Sequence, residues 1–384
     1  ADYTDLPEVG WMAQCPQSPI YHAEGSVLKH TEMVMDAVRQ DRSLPVDLRR
    51  QVYLAAFLHD LGKIRATTVS PEGWARARNY VAAGAPLVRA ALHRLEVPVH
   101  LRAEITLLVD YHQHPLRLVK QDICGTELER RLYRRLAALL DLRLLAALAR
   151  ADWQGRRGRG RATALKLLKV FKERAVSLGL WRGRFQGLLS DGELHSLLPE
   201  EREQRRLRRH LLLQTLAGSL ETAEEVRAYL AAHPELLRPR SAHLYLMCGL
   251  PGSGKSTWLR EHLPGAIVVS SDKKRLELFG DESFQGDNLR VFAECRRDVE
   301  QGLAAGAVVA VDATNILREH RAEFLAIAES VGAHTTIVYF DVTPEVAIER
   351  NLGRKRQVPE QSIRDYFEKL QEPTRLEVDQ IIRI

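Results

Sequence analysis

The segment from Gly249 to Ser256 has the sequence GLPGSGKS, which matches the phosphate-binding loop G-x-x-x-x-G-K-[ST] at every fixed position. An apolar run that can form a buried strand, 244–248, precedes it, and a segment that can open a helix, 257–262, follows, as this motif requires. In such a loop, backbone N–H groups surround a polyphosphate, the lysine reaches its β and γ oxygens, and the last hydroxyl holds Mg²⁺. We therefore predict that the chain binds ATP or another NTP with Mg²⁺ through Gly249, Gly252, Ser253, Gly254, Lys255, Ser256 and Thr257.

Two aspartates follow the next two predicted strands. Asp272 comes just after the apolar run 266–270, and Asp312 ends the run 308–312. Because ligands of open α/β sheets lie beyond the carboxyl ends of the strands, both carboxylates should face the same crevice as the loop. Asp272 is then placed to accept the proton of an attacking hydroxyl, and Arg275, one helical turn later, to bind a neighbouring phosphate. Asp312 is placed to hold Mg²⁺-bound water, and a helix cap is the alternative for either aspartate.

Basic residues are concentrated after the helix predicted to start near Pro344, in the sequence RNLGRKR from 350 to 356. Such a segment suits a lid over a transferring phosphate, where an arginine stabilises the developing charge. The candidate lid residues are Arg350, Arg354 and Arg356, with Lys355 between the last two. An exposed basic helix end, favoured by the helix dipole, is the alternative interpretation.

A second group of potentially reactive residues lies nearer the start of the chain. His59 and Asp60 are adjacent within the otherwise apolar segment AAFLHDLGK, His30 precedes them and Asp152 follows them. Burying an imidazole and a carboxylate in an apolar helix is unfavourable unless something binds them. Two histidines and two carboxylates suit Mn²⁺, Fe²⁺, Ni²⁺, Co²⁺ or Zn²⁺ better than Ca²⁺. Such a metal generates hydroxide from water and polarises a phosphoryl oxygen.

The elements that must position these residues differ between the two parts of the chain. From 27 to 150 nearly every segment has the apolar spacing of an amphipathic helix, and few runs resemble strands. Helical spacing continues through 165–178 and 201–217, and a capping box at 222–225 opens one more helix. A Pro-rich joint at 233–239 follows. The apolar runs beyond the joint alternate with helices, which is typical of a parallel sheet: 244–248, 266–270, 308–312 and 336–340.

The chain has 384 residues, 45% of them hydrophobic, which indicates two or three globular domains. No apolar run approaches the roughly 20 residues needed to cross a bilayer, and the first residues, ADYTDLPEVG, lack the pattern of a secretion signal. The four cysteines form no CxxC pair, so neither a disulfide framework nor a zinc ribbon is indicated. We expect a soluble cytoplasmic protein without a membrane partner.

The net charge of +6 is distributed unevenly. Residues 1–240 carry 38 Lys and Arg against 28 Asp and Glu, whereas residues 241–384 carry 18 against 22. The basic excess peaks between Gln154 and Arg184, where ten basic residues accompany a single acid, Glu173. This basic segment suits a partner with phosphates along a backbone, which is a nucleic acid. A solvated helix face is the alternative.

The sequences GLPGSGKS, SSDKKR, VDATN and ERNLGRKR together resemble the 5′-hydroxyl polynucleotide kinases of phage and bacterial end-repair enzymes. The D-x-x-R after the loop favours a polynucleotide acceptor over a small molecule. The resemblance implies that Lys255 and Ser256 hold the donor phosphates and the metal. It also implies that Asp272 is the general base and that Arg275 binds the phosphate beside the acceptor hydroxyl. The further implied contacts are Arg354 on the donor, with Arg350 and Arg356 as alternatives, and Asp312 and Asn315 on the substrate.

The order H…HD…D of the four predicted metal ligands resembles the HD phosphohydrolase superfamily. The flanking sequences YHAEGSVLKHT and ARADWQGR look like the HD domain of bacterial tRNA nucleotidyltransferases, and the likeness extends loosely to about Tyr229. It implies a metal-dependent enzyme that removes phosphates from RNA ends, with Asp60 as a catalytic ligand.

The chain departs from that family in one segment. Where such domains often have a histidine in G-H-x-x-H-G, this chain has NYVAAG at 79–84, so a second metal ion is not implied. His112 or His114 can supply a replacement ligand, with Asp60 bridging. His112 matches the family position better, and a surface histidine pair is the alternative. The residues implied as contacts for substrate phosphate are His22 and Lys63.

An HD phosphohydrolase followed by a polynucleotide kinase resembles the bacterial bifunctional end-healing enzymes of the HD-Pnk family. The predicted domains are 1–155 for the HD domain, 156–240 for a basic helical extension and 241–384 for the P-loop kinase domain. The implied activities are phosphorylation of polynucleotide 5′-OH ends and hydrolysis of 2′,3′-cyclic, 2′- or 3′-phosphate ends. The implied partners are RNA or DNA ends and a ligase that joins them, and the chain is expected to be a monomer or homodimer.

Two other interpretations of the sequence are a small-molecule kinase fused to a nucleotide phosphohydrolase, and a kinase whose HD module binds RNA ends without hydrolysing them. The first leaves the basic segment without a role, and the altered segment at 79–84 permits the second.

Overall fold

The computed structural model describes residues 6–121, 123–354 and 356–384, so Lys355 of the predicted lid lies outside the described residues. The chain divides into two compact units, the first ending at Phe185 and the second beginning at Gln186. The predicted extension, 156–240, is shared between the two units, and the functional boundaries at 155 and 240 stay predictions. No helix in the described part of the chain is both long and apolar enough to cross a membrane.

The first unit is mainly helical, as predicted. Its helices are α1 (Pro7–Gln14), α2 (Val27–Gln40), α3 (Val46–Leu58), α4 (Lys63–Ala66), α5 (Tyr80–Arg94), α6 (Val99–Tyr111), α7 (His114–Val119), α8 (Glu127–Leu139), α9 (Leu142–Gly155) and α10 (Arg161–Ser177). The structure adds a short antiparallel hairpin that the sequence did not predict, formed by β1 (Thr67–Val69) and β2 (Ala75–Ala77). Strands of three residues are too short to show the alternation that identifies a strand.

Helix α2 forms the centre of the first unit, where it packs against both α3 and α9. The Ser26 hydroxyl accepts the backbone N–H of Lys29 and caps its first turn. The buried residues of α2 recur every three or four positions, at Val27, His30, Val34 and Val38, so they lie on one face of the helix. Helix packing therefore carries an imidazole into the interior.

The second unit contains a parallel five-stranded sheet with strand order β4-β5-β3-β6-β7. The strands are β3 (His243–Cys248), β4 (Ile267–Ser270), β5 (Val308–Asp312), β6 (His334–Tyr339) and β7 (Gln380–Arg383). Its helices are α11 (Asp191–Leu197), α12 (Glu201–Ala217), α13 (Ala223–Ala232), a 3₁₀ turn (Pro234–Leu237), α14 (Lys255–His262), α15 (Ser271–Phe279), α16 (Asn288–Ala304), α17 (Arg318–Ser330), α18 (Pro344–Leu352) and α19 (Glu360–Lys369). The predicted α/β fold with a parallel sheet is confirmed.

Local signals placed most of these elements correctly. The capping box at Thr222 and Glu225 is present and opens α13, and β3, β4, β5 and β6 lie within two residues of the predicted runs. Strand β7 was missed. It is a four-residue edge strand that is only half-buried throughout, so its sequence lacks the apolar run of an interior strand.

Two glycines of the first unit touch through their backbones. A Cβ added to Gly84 in α5 would lie 2.7 Å from the Cα of Gly62, and one added to Gly62 would lie 1.8 Å from the carbonyl oxygen of Tyr80. Helix α5 therefore rests directly on the turn that follows Asp60.

We expect Gly84→Ala to destabilise the first unit, because the added methyl group has no space and overpacking costs about 1–3 kcal/mol. Gly10→Ala is the matched control, since Gly10 is also helical but a Cβ there would meet nothing within 4 Å. The control should be neutral or stabilising by up to about 1 kcal/mol. Urea unfolding of the full chain followed by circular dichroism measures both, and equal midpoints for the two variants would contradict the close contact.

Candidate functional sites

The phosphate-binding loop joins β3 to α14 in the second unit. Its three glycines have positive φ values, +156° at Gly249, +82° at Gly252 and +105° at Gly254, a region that side chains rarely adopt. A Cβ at Gly252 would also lie 2.3 Å from the carbonyl oxygen of Ala347 in α18. The glycines therefore allow both the turn and the close approach of the neighbouring helix.

Lys255 is buried and bonded to the loop itself. Its Nζ donates to the carbonyl oxygens of Gly249, at 3.0 Å, and Leu250, at 2.6 Å. Burial lowers the pKa of Lys255 to about 8, although the charge of Asp312 acts in the opposite direction. The lysine is held at the mouth of the loop by neutral acceptors that a polyphosphate can replace.

Ser256 and Asp312 come together as predicted. The Ser256 hydroxyl donates to Oδ2 of Asp312 at 2.7 Å, at the carboxyl end of β5. A hydroxyl and a carboxylate oxygen are hard ligands of the kind that Mg²⁺ prefers. This pair fits the Mg²⁺ ion that accompanies the nucleotide in P-loop kinases.

The predicted base and its neighbouring arginine form an ion pair. Asp272 lies in the first turn of α15, where its Oδ1 accepts from Nη1 of Arg275 at 2.9 Å. Its Oδ2 lies 3.0 Å from Nη1 of Arg356. Asn288 accepts a further hydrogen bond from Arg275 at 2.9 Å and fixes the guanidinium. The sequence analysis did not predict that these two residues pair, and their roles as base and phosphate contact stay predictions.

The three lid arginines have different surroundings. Arg350 donates to the carbonyl oxygen of Ser253 in the loop at 3.2 Å, and Arg356 reaches Asp272. Arg354 is exposed, and its charge contributes to the lowered pKa of Lys255. The structure therefore brings all three to the loop region, and the donor contact assigned to Arg354 stays a prediction.

Asn315 is hydrogen-bonded to β3 just before the loop begins. It is 3% exposed, has a left-handed φ of +45°, and donates from its amide to the carbonyl oxygen of Met247 at 2.9 Å. The neighbouring Thr314 carbonyl accepts the backbone N–H of Gly249. Asn315 thus has a structural role, and its predicted substrate contact stays a prediction.

The four predicted metal ligands converge in the first unit, from α2, from the end of α3 and from α9. Nε2 of His30 lies 3.1 Å from Oδ1 of Asp152 and 3.7 Å from Oδ2 of Asp60. Nε2 of His59 lies 3.3 Å from the same Asp60 oxygen and 3.9 Å from Asp152. All four side chains are nearly fully buried.

The hydrogen bonds of this cluster leave ligand atoms free. His59 donates through Nδ1 to the carbonyl oxygen of Ala56 at 2.7 Å, so its Nε2 carries the lone pair. Within the described residues, Nε2 of His59 and Oδ1 of Asp60 are buried without a hydrogen-bond partner. Two imidazoles and two carboxylates, with one free nitrogen on His59 and one free oxygen on Asp60, fit a transition-metal ion.

Glu24 is a site residue that sequence reasoning missed. Its Oε1 lies 2.9 Å from Nδ1 of His30 and 2.8 Å from Nδ1 of His22. Burial acts to raise the pKa of Glu24, but the hydrogen bonds from the two histidines outweigh it and hold the pKa far below its usual range. A carboxylate on the outer nitrogen orients a ligand histidine, so Glu24 directs Nε2 of His30 toward the cluster. Its spacing, two residues after His22, is the only signal in the sequence.

Two cations neutralise the carboxylates of the cluster. Lys63 donates from Nζ to Oδ2 of Asp60 at 2.6 Å, and Arg156 forms a bidentate pair with Asp152, with a shortest distance of 2.7 Å. Both line a cavity of about 220 Å³ beside His22. Lys63 was predicted as a phosphate contact, whereas Arg156 was counted only in the basic segment. Its position, one helical turn after Asp152, could have identified it.

His112 lies beside the cluster, with its ring 5.4 Å from that of His59. Its Nδ1 donates to the carbonyl oxygen of Val109 at 2.6 Å, so its Nε2 accepts the hydroxyl of Tyr80 at 2.9 Å. Burial lowers the pKa of His112 to about 4. Tyr80, from the segment that departs from the HD pattern, thus occupies the nitrogen with which His112 would bind a metal. His114 instead packs against Tyr111.

The basic segment is partly internal. Arg156, Arg174 and Arg184 pair with Asp152, Glu129 and Glu104 of the first unit. The remaining cations are exposed: Arg157, Arg159, Arg161, Lys166, Lys169, Lys172 and Arg182. The segment therefore both stabilises the helical unit and leaves a basic surface around α10.

Comparison with known proteins adds to this geometry. Residues 244–373 match the model of a protein family described as AAA domain, and the second unit has a P-loop kinase-like fold. A multifunctional CCA protein of Halorhodospira halophila (strain DSM 244 / SL1) is 32% identical over 115 residues, which is 30% of this chain and 26% of that protein. A putative bifunctional polynucleotide kinase/RNA ligase of Autographa californica nuclear polyhedrosis virus is 30% identical over 140 residues, which is 33% of this chain and 20% of that protein.

A solved structure of a Pnkp1/Rnl/Hen1 complex is 25% identical, covers 32% of this chain and 42% of that chain, and has a TM-score of 0.28. The chain spans about a quarter of the length of the curated relatives described above. The relatives similar in sequence are thus described as a multifunctional CCA protein and a putative bifunctional polynucleotide kinase/RNA ligase.

Nucleotide binding is expected to be coupled to proton uptake by Lys255. The free protein has a pKa of about 8 at this residue, and phosphate oxygens will raise that pKa because they stabilise the charged form. Between the two pKa values the bound state holds more protons than the free state, so affinity should fall as pH rises, by up to about tenfold per pH unit.

Isothermal titration calorimetry with a non-hydrolysable ATP analogue, at about pH 9 in buffers of different ionisation enthalpy, measures this uptake. Lys273→Met is the control, because it removes a nearby lysine outside the loop and should retain the coupling. Binding without proton exchange at about pH 9 would contradict the altered pKa of Lys255.

Proposed function

We propose that the chain is a cytoplasmic nucleic-acid end-healing enzyme with two active sites. The second unit would transfer the γ-phosphate of an NTP to a polynucleotide 5′-OH, and the first would hydrolyse 2′,3′-cyclic, 2′- or 3′-phosphate ends. The observation that carries the proposal is that one chain contains a P-loop with an Asp-Arg pair and a buried His-Asp cluster flanked by Lys63 and Arg156. Ends healed in this way have the 5′-phosphate and 3′-hydroxyl that a ligase joins.

The kinase reaction follows from the contacts at the end of the sheet. Lys255 would exchange its carbonyl acceptors for phosphate oxygens, and Ser256 and Asp312 would hold Mg²⁺, which would neutralise charge on the phosphates. Arg275 turns from Asp272 to the phosphate next to the 5′ end, which frees the carboxylate. The 5′ oxygen then attacks the γ-phosphorus, Asp272 accepts its proton, and the nucleoside diphosphate leaves.

In the hydrolase site, as in the kinase site, the substrate phosphate would replace hydrogen-bond acceptors that the cations have in the free protein. His30, His59, Asp60 and Asp152 would hold the metal ion, which supplies a nucleophilic hydroxide and polarises the phosphoryl group. Glu24 keeps His30 oriented through its outer nitrogen. The end phosphate would replace Asp60 and Asp152 as the partner of Lys63 and Arg156, and the two carboxylates would be shared with the metal ion. The sequence similarity to a protein described as a multifunctional CCA protein agrees with the likeness of YHAEGSVLKHT and ARADWQGR to tRNA nucleotidyltransferases.

We expect Asp272→Asn to reduce 5′-OH phosphorylation by about 100-fold or more, because it removes the proton acceptor. Asp365→Asn is the matched control, since Asp365 is an exposed aspartate on α19 of the same unit. The assay follows labelled phosphate from ATP onto RNA and DNA oligonucleotides with 5′-OH ends. If the wild-type protein labels only nucleosides or other small acceptors, the chain is a small-molecule kinase and the proposal is wrong.

The hydrolase half is tested with Asp60→Asn. We expect loss of phosphate release from a 2′,3′-cyclic RNA end and loss of bound Mn²⁺, measured by elemental analysis after gel filtration, while kinase activity remains. Asp36→Asn, a change of an exposed aspartate on α2, should alter neither. Hydrolysis that survives Asp60→Asn would refute the metal assignment. A wild-type protein that binds the ends without releasing phosphate would be the non-catalytic alternative.

A further inference from the structure

Two cavities share the hairpin β1–β2 as a wall. The smaller, of about 220 Å³, adjoins the His-Asp cluster through Lys63 and Arg156, and Thr67, Ala75 and Ala77 of the hairpin line it. The larger, of about 550 Å³, is lined by the outer part of the hairpin. Arg76 lines both. The hairpin therefore connects the metal-ligand cluster to a larger surface depression.

The larger cavity has a distinctive composition. Its lining includes Trp74, Arg76 and Arg78, with the hydroxyls of Thr68 and Ser70. Trp74 is 45% exposed, although an indole is normally covered in a folded protein. The two arginines are also exposed. An aromatic face, guanidinium groups and hydroxyls are the groups that bind nucleotide bases and phosphates in single-stranded nucleic acid.

The hairpin holds these side chains in fixed places. Ser70 donates its backbone N–H to the carbonyl oxygen of Trp74 at 3.0 Å, and the Trp74 N–H donates back to the Ser70 hydroxyl at 3.3 Å. Arg76 pairs with Thr68 in the ladder. In a strand, alternate residues face opposite sides, so Ala75 is buried while Arg76 is exposed. Glu72, at the turn, accepts a hydrogen bond from Ser70, which lowers its pKa.

We propose that the hairpin is the binding site for the nucleic-acid strand that leads to the end phosphate. With the terminal phosphate between Lys63 and Arg156, Arg76 is placed to contact the next phosphodiester, and the base beyond it stacks on Trp74. The site thus selects oligonucleotides over mononucleotides. This inference rests on the proposed hydrolase function, and it adds a substrate class that the metal ligands alone do not specify.

The decisive variant is Trp74→Ala, assayed in the full chain with Mn²⁺. We expect its KM for a short RNA with a 2′,3′-cyclic phosphate end to rise about tenfold or more, because a stacked base is lost. Its KM for a 2′,3′-cyclic mononucleotide should stay unchanged. Trp11→Ala is the matched control, since Trp11 is 46% exposed on α1 of the same unit; it should behave as the wild type on both substrates.

Arg76→Ala provides a second, electrostatic measurement. It should weaken binding of the same RNA and reduce the salt dependence of that binding by about one phosphate contact. Arg50→Ala, a change of an exposed arginine on α3, is its control. Binding is measured by fluorescence anisotropy of labelled RNA without added metal, so the result does not depend on turnover.

The outcomes separate the inference from the proposed function. Equal RNA binding by the Trp74→Ala and Trp11→Ala variants would overturn the inference, as would an equal loss on RNA and mononucleotide. A wild-type protein that releases phosphate from neither substrate would refute the hydrolase. In that case weaker anisotropy binding by Trp74→Ala than by Trp11→Ala would still support a nucleic-acid site on the hairpin.

Discussion

Lys63 and Arg156, the two cations beside the His-Asp cluster, each have a carboxylate partner, and the stability of the buried cluster depends on that pairing. Moving a charge from water into a protein interior is unfavourable by several kcal/mol unless polar groups replace the water. Four ionisable residues, on α2, on α9 and in the turn after α3, are tolerated because Lys63 neutralises Asp60 and Arg156 neutralises Asp152. The two ion pairs thus keep the charged cluster folded in the free protein. In the proposed reaction, Lys63 and Arg156 would bind phosphate in place of the carboxylates without leaving the cavity.

In the second unit, a buried lysine is stabilised by neutral carbonyl oxygens instead of a carboxylate. Lys255 is bonded to neutral carbonyl oxygens, and its pKa falls as a result of burial, whereas Arg275 is held by Asp272. A polyphosphate that enters the loop offers Lys255 charged acceptors in place of neutral ones, which favours binding. In the proposed kinase reaction, an acceptor strand would compete with Asp272 for Arg275, which would link strand binding to release of the proposed base. The NTP would therefore replace neutral acceptors of Lys255, whereas the acceptor strand would replace a charged acceptor of Arg275.

Residues defined by local spacing could be predicted, and residues defined by distant contacts could not. The loop motif fixes the backbone around Lys255, and four ligands in order on apolar helices could be assigned together because burial of one demands the others. Tyr80 acquires its role only from packing, because it reaches His112 across 32 positions. Arg156 had a local signal, its position one helical turn after Asp152, that the sequence analysis did not use. The hairpin β1–β2 was missed because its strands hold too few residues to show a period.

The backbone contact between Gly62 and Gly84 has a consequence for how this protein can change over evolutionary time. Neither residue has a functional group, yet the contact sets how near the first turn of α5 comes to the cluster. That turn carries Tyr80, whose hydroxyl decides whether the lone pair of His112 is available. Whether His112 could bind a metal thus depends partly on Gly62 and Gly84, which cannot bind one themselves. Selection that acts on metal binding would therefore also act on these two glycines.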